Sequence, residues 1–332
     1  MKVFVTGGAG FLGKVLIKQL IELNHKVISY SRSNYPELDR MGVEHRQGDL
    51  SDLNKLKEAI QDCEVVFHVA AKASYWGEYS DFYSTNVLGT ENIIEACKEK
   101  GIKKLVYTSS PSVIHNGVGI EGKTEAQLPY PDHFEAYYPK TKAIAEKKVL
   151  EANGNDLATV ALRPHLIWGP EDPHFFPRLT KRAKAGKLFL IGHDNPLVDC
   201  VYVDNAAKAH ILAMEKLAIN SKIAGKAYFI TQDEPLPIGE FINMHVRAAR
   251  LPEVKKALPK ELAYFLGTSL EVVYKFFNIK SEPRITLFLA KQLSTPHWFD
   301  ISAAKNDLGY VPEISTKQGF ERLTKWAETQ VV

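Results

Sequence analysis

Tyr138-Pro139-Lys140-Thr141-Lys142 sets a phenol and an ammonium four residues apart, so on a helix the two side chains share one face. A free phenol has a pKa near ~10 and exchanges protons poorly at neutral pH. A neighbouring ammonium favours the phenolate, and the pair then suits proton transfer near pH 7. A second group, Thr108-Ser109-Ser110, closes an apolar run and offers hydroxyls that could polarise a carbonyl. A third, Thr6-Gly7-Gly8-Ala9-Gly10-Phe11-Leu12-Gly13, is a glycine loop of the kind that cradles phosphates. Tyr138 and Lys142 alone would describe many surface helices. Their company gives them a chemistry: proton transfer to an oxygen beside a nucleotide cofactor.

These groups need a scaffold that brings them to one edge. Lys2 to Val5 reads as a strand, followed by the glycine loop and a helix carrying Leu16, Leu20 and Leu23. Strand, glycine turn and helix form the context a dinucleotide loop requires. Gly7 serves the tight turn, Gly10 the approach of a pyrophosphate and Gly13 close packing of the helix. The phosphates then sit at the helix N-terminus, where free amides and the dipole favour anions. The spacing is Gly-x-x-Gly-x-x-Gly rather than the commoner Gly-x-Gly-x-x-Gly. The second strand, Lys26 to Tyr30, carries Tyr30 where an NAD-binding unit places an acid, with Ser31 and Arg32 beyond. An Arg pairs with a 2′-phosphate through two donors, so NADP(H) is expected over NAD(H).

Asp49 and Leu50 follow the third strand near the expected adenine site, and Ser51 is expected to cap a helix to Ile60. Cys63 to Val69 reads as a fourth strand, and Ala70 and Ala71 are small enough to let a cofactor pass. In the loop beyond, Tyr75 and Trp76 are candidate pocket-floor residues, and Asn86 lies on the next helix. The fifth strand, Lys104 to Ser110, delivers the serines to the carboxyl edge of the sheet, where open α/β sheets bind ligands. A long loop, Pro111 to Glu135, precedes the Tyr138 helix, and Leu157 to Leu162 is a sixth strand. The alternation predicts an α/β fold with a doubly wound parallel sheet, a Rossmann fold.

The 332 residues allow about two domains: residues 1–170 as the dinucleotide-binding domain, with 198–231 returning to it, and 171–197 with 232–332 as a smaller, mainly helical substrate lobe. Val198 to Val203 is expected as a strand, Asp204 as the cap of a helix to Leu217, and Lys226 to Thr231 as a strand at the sheet edge. In the lobe, Phe265, Leu266, Val272, Val273, Phe276 and Phe277 suggest an apolar character. A net charge of +3 argues against nucleic acid. Cys63, Cys97 and Cys200 have neither metal nor disulfide spacing, so no metal is expected. The chain enters a strand at once, which suggests no signal peptide and a cytoplasmic protein. Leu262 to Phe277 is short for a membrane span and interrupted by Glu271 and Lys275.

With these residues assembled, the chain resembles the extended short-chain dehydrogenases/reductases along nearly its whole length. The glycine loop, Asp49-Leu50, Asn86, Thr108-Ser109-Ser110, Tyr138-x-x-x-Lys142, Arg163-Pro164 and Trp168-Gly169-Pro170 carry the resemblance. It implies Tyr138 as acid/base, Lys142 as the ribose-binding residue that lowers the phenol pKa, and Ser110 as the hydroxyl on the substrate oxygen. It also implies cofactor contacts from Phe11, Leu12, Leu50, Asn86 and Pro164. Tyr107-Thr108-Ser109-Ser110 and Ser112-Val113-Ile114 are similar to the 3β-hydroxysteroid dehydrogenase branch. Stretches such as Ala70-Ala71-Lys72-Ala73 and Thr295-Pro296-His297-Trp298 resemble bacterial reductases of olefin biosynthesis. That resemblance implies NADPH-dependent reduction of a long-chain β-keto acid branched at C2, in a homodimer that meets thiolase-like and β-lactone-forming enzymes. A sterol 3-keto reductase, a sugar-nucleotide epimerase and a non-catalytic NADP-binding regulator are the alternatives. A β-keto acid needs a charge partner, because an unpaired buried carboxylate is costly. Lys72, following Ala70-Ala71 on the same sheet edge as Ser110, is the first candidate, with His115 and Arg178 behind it. The competing reading leaves Lys72 solvated or facing an acid such as Glu78.

Overall fold

The computed structural model describes residues 1–330, so the last two positions of the lobe expected over 232–332 lie outside the described residues. Seven parallel strands form the central sheet: β1 Lys2–Thr6, β2 Lys26–Ser31, β3 Glu44–Gln47, β4 Val65–His68, β5 Lys104–Thr108, β6 Ala158–Pro164 and β7 Lys226–Ile230. Their order is β7-β6-β5-β4-β1-β2-β3. The chain reaches one edge at β3, then restarts beside β1 with β4. The crevice between these two strand ends is the switch point at which such sheets bind ligands.

The helices used below are α1 Phe11–Glu22, α2 Leu53–Ala59, α3 Gly89–Glu99, α4 Tyr137–Glu151, α5 Phe175–Lys184, α6 Val203–Lys216, α7 Ile238–Ala248, α8 Lys260–Phe276, α9 Leu287–Gln292 and α10 Thr316–Thr329. Alternate residues of β1 feed opposite layers, as a strand covered on both faces must. Val3 and Val5 join Leu16 and Ile17 of α1 and Ala206 of α6 in one layer. Phe4 joins Leu56 of α2, Ile93 of α3 and Val149 of α4 in the other. Every residue of β6 is buried, including Arg163 and Pro164, which the strand carries past the end expected at Leu162.

Several local expectations change. Asp52, not Ser51, caps α2: its carboxylate accepts the Lys55 N–H at 3.1 Å. Ser51 instead donates its own N–H and O–H to the Asp49 carboxylate, each at 2.8 Å. Asp204 lies in the first turn of α6, and Tyr202 holds the cap position. The strand expected over Val198 to Val203 is two short bridges, Leu197–Val198 and Val201–Tyr202, in small sheets apart from the central one. Asn86 sits in a π-helical turn, Tyr83–Leu88, ahead of α3.

Most apolar residues of α8 face away from the central cleft. Only Ala263 and Gly267 of this helix are buried, whereas Phe265 is 67%, Val272 61% and Phe276 81% exposed. Leu266 alone of the six lobe residues named above lines the central cleft. Among the described residues no helix is long and apolar enough to cross a membrane.

Candidate active site

A cleft of about 1560 Å³ runs from the glycine loop over the carboxyl ends of the sheet to the helices of the C-terminal half. At its start Gly7 has φ +70°, and a Cβ there would lie 2.9 Å from the Ala70 Cα. A Cβ on Gly13 would lie 2.2 Å from the Gly7 carbonyl oxygen, so the helix packs onto the loop itself. No side chain caps α1 at Gly10, which leaves its first amides free for an anion. Gly10, Phe11, Leu12, Ala70, Ala71 and Pro164 line this stretch.

Tyr30, Ser31, Arg32, Asp49 and Leu50 close the far end. The buried Tyr30 hydroxyl donates to the Asp49 carbonyl at 3.1 Å, and burial pushes its phenol up to about 12. Hydrogen bonds from Ser51 hold the Asp49 carboxyl below its ordinary range. Ser31 donates to the Ser33 carbonyl at 3.0 Å. Arg32 is in no ion pair among the described residues, although it stands close enough to Asp49 to lower that carboxyl. The loop, the uncapped helix and this cationic end fit a dinucleotide.

Tyr138, Lys142, Ser109 and Ser110 line the middle of the cleft. Of the two serines, Ser110 stands beside the Tyr138 phenol and accepts the Ser112 N–H at 3.2 Å, whereas Ser109 is 4% exposed and lies towards Glu146. One expectation is overturned here. Although Tyr138 and Lys142 share a helix face, the Lys142 ammonium reaches across to β5. It donates to the Tyr107 hydroxyl at 2.6 Å and the Thr108 carbonyl at 2.7 Å. The phenol therefore gains no depression from it. Burial, with the Tyr75 phenol adding, pushes Tyr138 up to about 12, and only the nearby Ser110 hydroxyl opposes this. Burial pulls Lys142 down to about 7, against the pull of Glu146.

Behind Lys142, one helical turn on, Glu146 is fully buried and takes two hydrogen bonds from Arg163, at 3.0 and 2.6 Å, and one from Tyr130 at 2.6 Å. Asn86 is absent from the cleft wall. Its carbonyl oxygen accepts the Lys72 N–H at 2.7 Å and its amide donates to Thr141 at 3.0 Å. Asn86 thus braces the loop after β4 against α4 rather than facing the cofactor site.

Of the expected substrate residues, Lys72 points elsewhere: its ammonium lies 2.7 Å from Asp81 and outside the cleft lining. The nearby acid is Asp81, not Glu78, which pairs with Lys280 at 2.9 Å. Trp76 also lies outside the lining and donates its indole N–H to the Ile279 carbonyl at 3.2 Å, while its neighbour Tyr75 does line the cleft. Arg178 lines the cleft but is paired with Glu282 at 2.9 Å. His115 lines it and is buried. Three contributors went unrecognised in the sequence: Tyr107, which anchors Lys142, and the cleft histidines His165 and His297. Tyr107 had a signal, its place one residue before the Thr-Ser-Ser strand end. His297 had one in the Thr295-Pro296-His297-Trp298 stretch, though nothing there marked it as a cleft residue; His165 had none.

The 3-beta hydroxysteroid dehydrogenase/isomerase family model matches residues 4–259. A 2-alkyl-3-oxoalkanoate reductase of Stenotrophomonas maltophilia is 48% identical over 97% of this chain and 98% of its own length. The sterol-4-alpha-carboxylate 3-dehydrogenase, decarboxylating, of Mus musculus is 35% identical over 97% of this chain and 89% of its own. In fold, the UDP-glucose 4-epimerase of Thermotoga maritima superposes with a TM-score of 0.78 at 22% identity, each chain covered completely. A matched span that runs from β1 to the start of α8, carrying the glycine loop, Ser110 and the Tyr138–Lys142 helix, makes this chain a member of the 3β-hydroxysteroid dehydrogenase/isomerase family.

Proposed function

We propose that the protein is an NADPH-dependent reductase that converts a long-chain 2-alkyl-3-oxoalkanoate to the 2-alkyl-3-hydroxyalkanoate. The observation that carries this reading is the 48% identity, nearly end to end, with reductases named for that substrate. The sterol relatives act, by name, at C3 beside a C4 carboxylate. Both names describe an oxygen-bearing carbon one atom away from a carboxylate, and that shared unit is the chemistry assigned to this chain. Its alkyl arms are accommodated by Phe175, Leu188, Phe241 and Phe288 in the cleft wall.

Gly7, Gly10, Gly13, Ala70 and Ala71 would hold the dinucleotide, with Arg32 and Ser31 at its 2′-phosphate. When bound, the reduced dinucleotide supplies the hydride that reaches the keto carbon. Tyr138, protonated at neutral pH, gives its proton to the keto oxygen, and Ser110 donates a hydrogen bond to the same oxygen. Lys142 secures the strand end that carries Ser110 through the Thr108 carbonyl and Tyr107. The preference for NADPH is supported by the unpaired Arg32 and by a tyrosine at the position of the usual acid.

This reading keeps residues 1–170 with 198–231 as the dinucleotide domain, and 171–197 with 232–332 as the substrate lobe. It places a cytoplasmic homodimer between a condensing, thiolase-like enzyme and a β-lactone-forming one. NADPH oxidation measured in parallel with a 2-alkyl-3-oxoalkanoate, a 3-keto-4-carboxysterol and a UDP-sugar tests it. Turnover chiefly of the first supports the reading; turnover chiefly of either other substrate replaces it.

A further inference from the structure

We infer that the substrate carboxylate is received by three buried imidazoles, His115, His165 and His297, which meet in the cleft that holds Ser110 and Tyr138. The inference rests on the proposed β-keto acid and names the group that binds its acid end.

All three rings line the cleft and are at least nine-tenths buried, with exposures of 6%, 7% and 2%. They come from separate parts of the chain: the loop after β5, the end of β6 and the short strand His297–Phe299. His165 and His297 pack edge to face with centroids 5.0 Å apart, and His115 packs on Phe288 at 6.1 Å. Each ring leaves one buried nitrogen without a partner: Nε2 of His115, Nδ1 of His165 and Nδ1 of His297. Buried polar atoms are nearly always hydrogen-bonded in a folded protein, so three orphans on one cleft wall mark a place built for a ligand.

The bonds that are made show what that ligand is. His115 Nδ1 accepts the Gly117 N–H at 3.1 Å, so the ring proton sits on Nε2, a donor with nothing to donate to. His297 Nε2 donates to the Gln292 carbonyl at 2.5 Å, leaving Nδ1 free to take up a proton. A carboxylate supplies the acceptors that His115 and a protonated neighbour require. No group of three His, Cys, Asp or Glu side chains among the described residues has metal-ligating geometry, which removes the competing use of the cluster.

Position agrees with chemistry. A 3₁₀ turn, Pro111–Ile114, joins Ser110 directly to His115, so the hydroxyl for the keto oxygen and the donor for the carboxylate are held by one short rigid segment. A β-keto acid carries those two groups a single carbon apart. Lys72, by contrast, is already paired with Asp81.

The charged neighbours of the cluster are few. Lys291 of α9 is paired with Glu135, and both lie on the His115 side. Asp199, behind His297, accepts the Phe299 N–H at 2.6 Å and is pushed up to about 7 by burial. Burial, with the His297 imidazole and Lys291 adding, keeps His115 down at about 4. Without ligand the cluster is therefore neutral, and an arriving carboxylate draws a proton onto it.

The test is calorimetric and needs no turnover, so a failed reductase assay leaves it readable. Decanoate and methyl decanoate are titrated into the full chain with NADP⁺. For His115→Phe, which keeps the ring packing on Phe288, decanoate should bind at least ~10-fold more weakly while methyl decanoate changes by less than about threefold. Lys72→Met should leave decanoate unchanged. In the wild-type protein decanoate should bind more tightly at about pH 6 than at about pH 8, with proton uptake, and the ester should not. Equal losses for acid and ester in His115→Phe, a decanoate loss in Lys72→Met, or pH-independent wild-type decanoate binding would each overturn the inference. The wild-type arm decides the matter if His115→Phe does not fold.

Discussion

The Lys142 ammonium and the Tyr107 hydroxyl meet at 2.6 Å, joining α4 to β5 in the floor of the cleft. A charged donor that is 1% exposed depends on such acceptors. The lysine consequently belongs to the strand end that presents Ser110 as much as to the helix that presents Tyr138.

Tyr107→Phe should keep the fold and its ring packing on His68, since only an oxygen is lost. Removing an acceptor from a charged donor costs about 1.5–3 kcal/mol, an order of magnitude or more in rate if it is expressed in the transition state. The loss of the acceptor also disfavours the ammonium. Activity that needs Lys142 charged should thus fall off at lower pH than in the wild type, whose Lys142 sits at about 7. A pH profile of kcat checks this; an unmoved alkaline limb would show that Tyr107 does not act through Lys142.

Tyr138→Phe should lower turnover by at least ~10²-fold with cofactor binding intact, the scale of losing a positioned general acid. Ser110→Ala should be harmful for a different reason, the loss of a donor to the developing alkoxide. Ser109→Ala should be the milder of the two, because Ser109 is turned towards Glu146. Steady-state rates with cofactor titrations by fluorescence measure all three, and a worse Ser109 variant would reverse the assignment of the serines.

Arg32→Ala should raise KM for NADPH by roughly tenfold or more and leave NADH nearly unchanged, since only the former carries a 2′-phosphate for the guanidinium to meet. Paired KM measurements decide it. Equal use of both cofactors by the unmodified protein would count against the preference.

Glu146→Ala should destabilise the protein by about 3–5 kcal/mol, because Arg163 is left as an unpaired buried charge. Burial alone would raise the Glu146 carboxyl, but the Arg163 guanidinium and the hydrogen bonds to it hold the group below its ordinary range. Its stabilisation is therefore present at neutral pH, above the unfolded carboxyl pKa, and is lost as pH falls through the lower folded value. Urea unfolding between neutral and acid pH should show a shallower acid loss in the variant. Parallel curves would mean that another group governs the acid limb.

The sequence by itself determined the parts of this protein that short-range chemistry dictates. Strand, glycine loop and helix at residues 2–22 are legible because the backbone turn at Gly7 and the contact at Gly13 leave no room for a side chain. The sheet followed from alternating apolar runs and helices, whose burial on both faces leaves one handed arrangement. The spacing of Tyr138 and Lys142 placed them on one face of α4 for the same local reason. Tertiary structure decided where long side chains go. Lys142 could have met Tyr138 or β5, and the Thr108 carbonyl settled it. Lys72 could have faced the cleft, and Asp81 on the next helical turn captured it. Phe265 and Phe276 suggested an apolar substrate lobe, yet both are exposed and α8 buries only Ala263 and Gly267. The histidine cluster unites positions 115, 165 and 297, whose meeting depends on three chain segments closing over one sheet edge. No spacing within a single segment encodes a contact of that range.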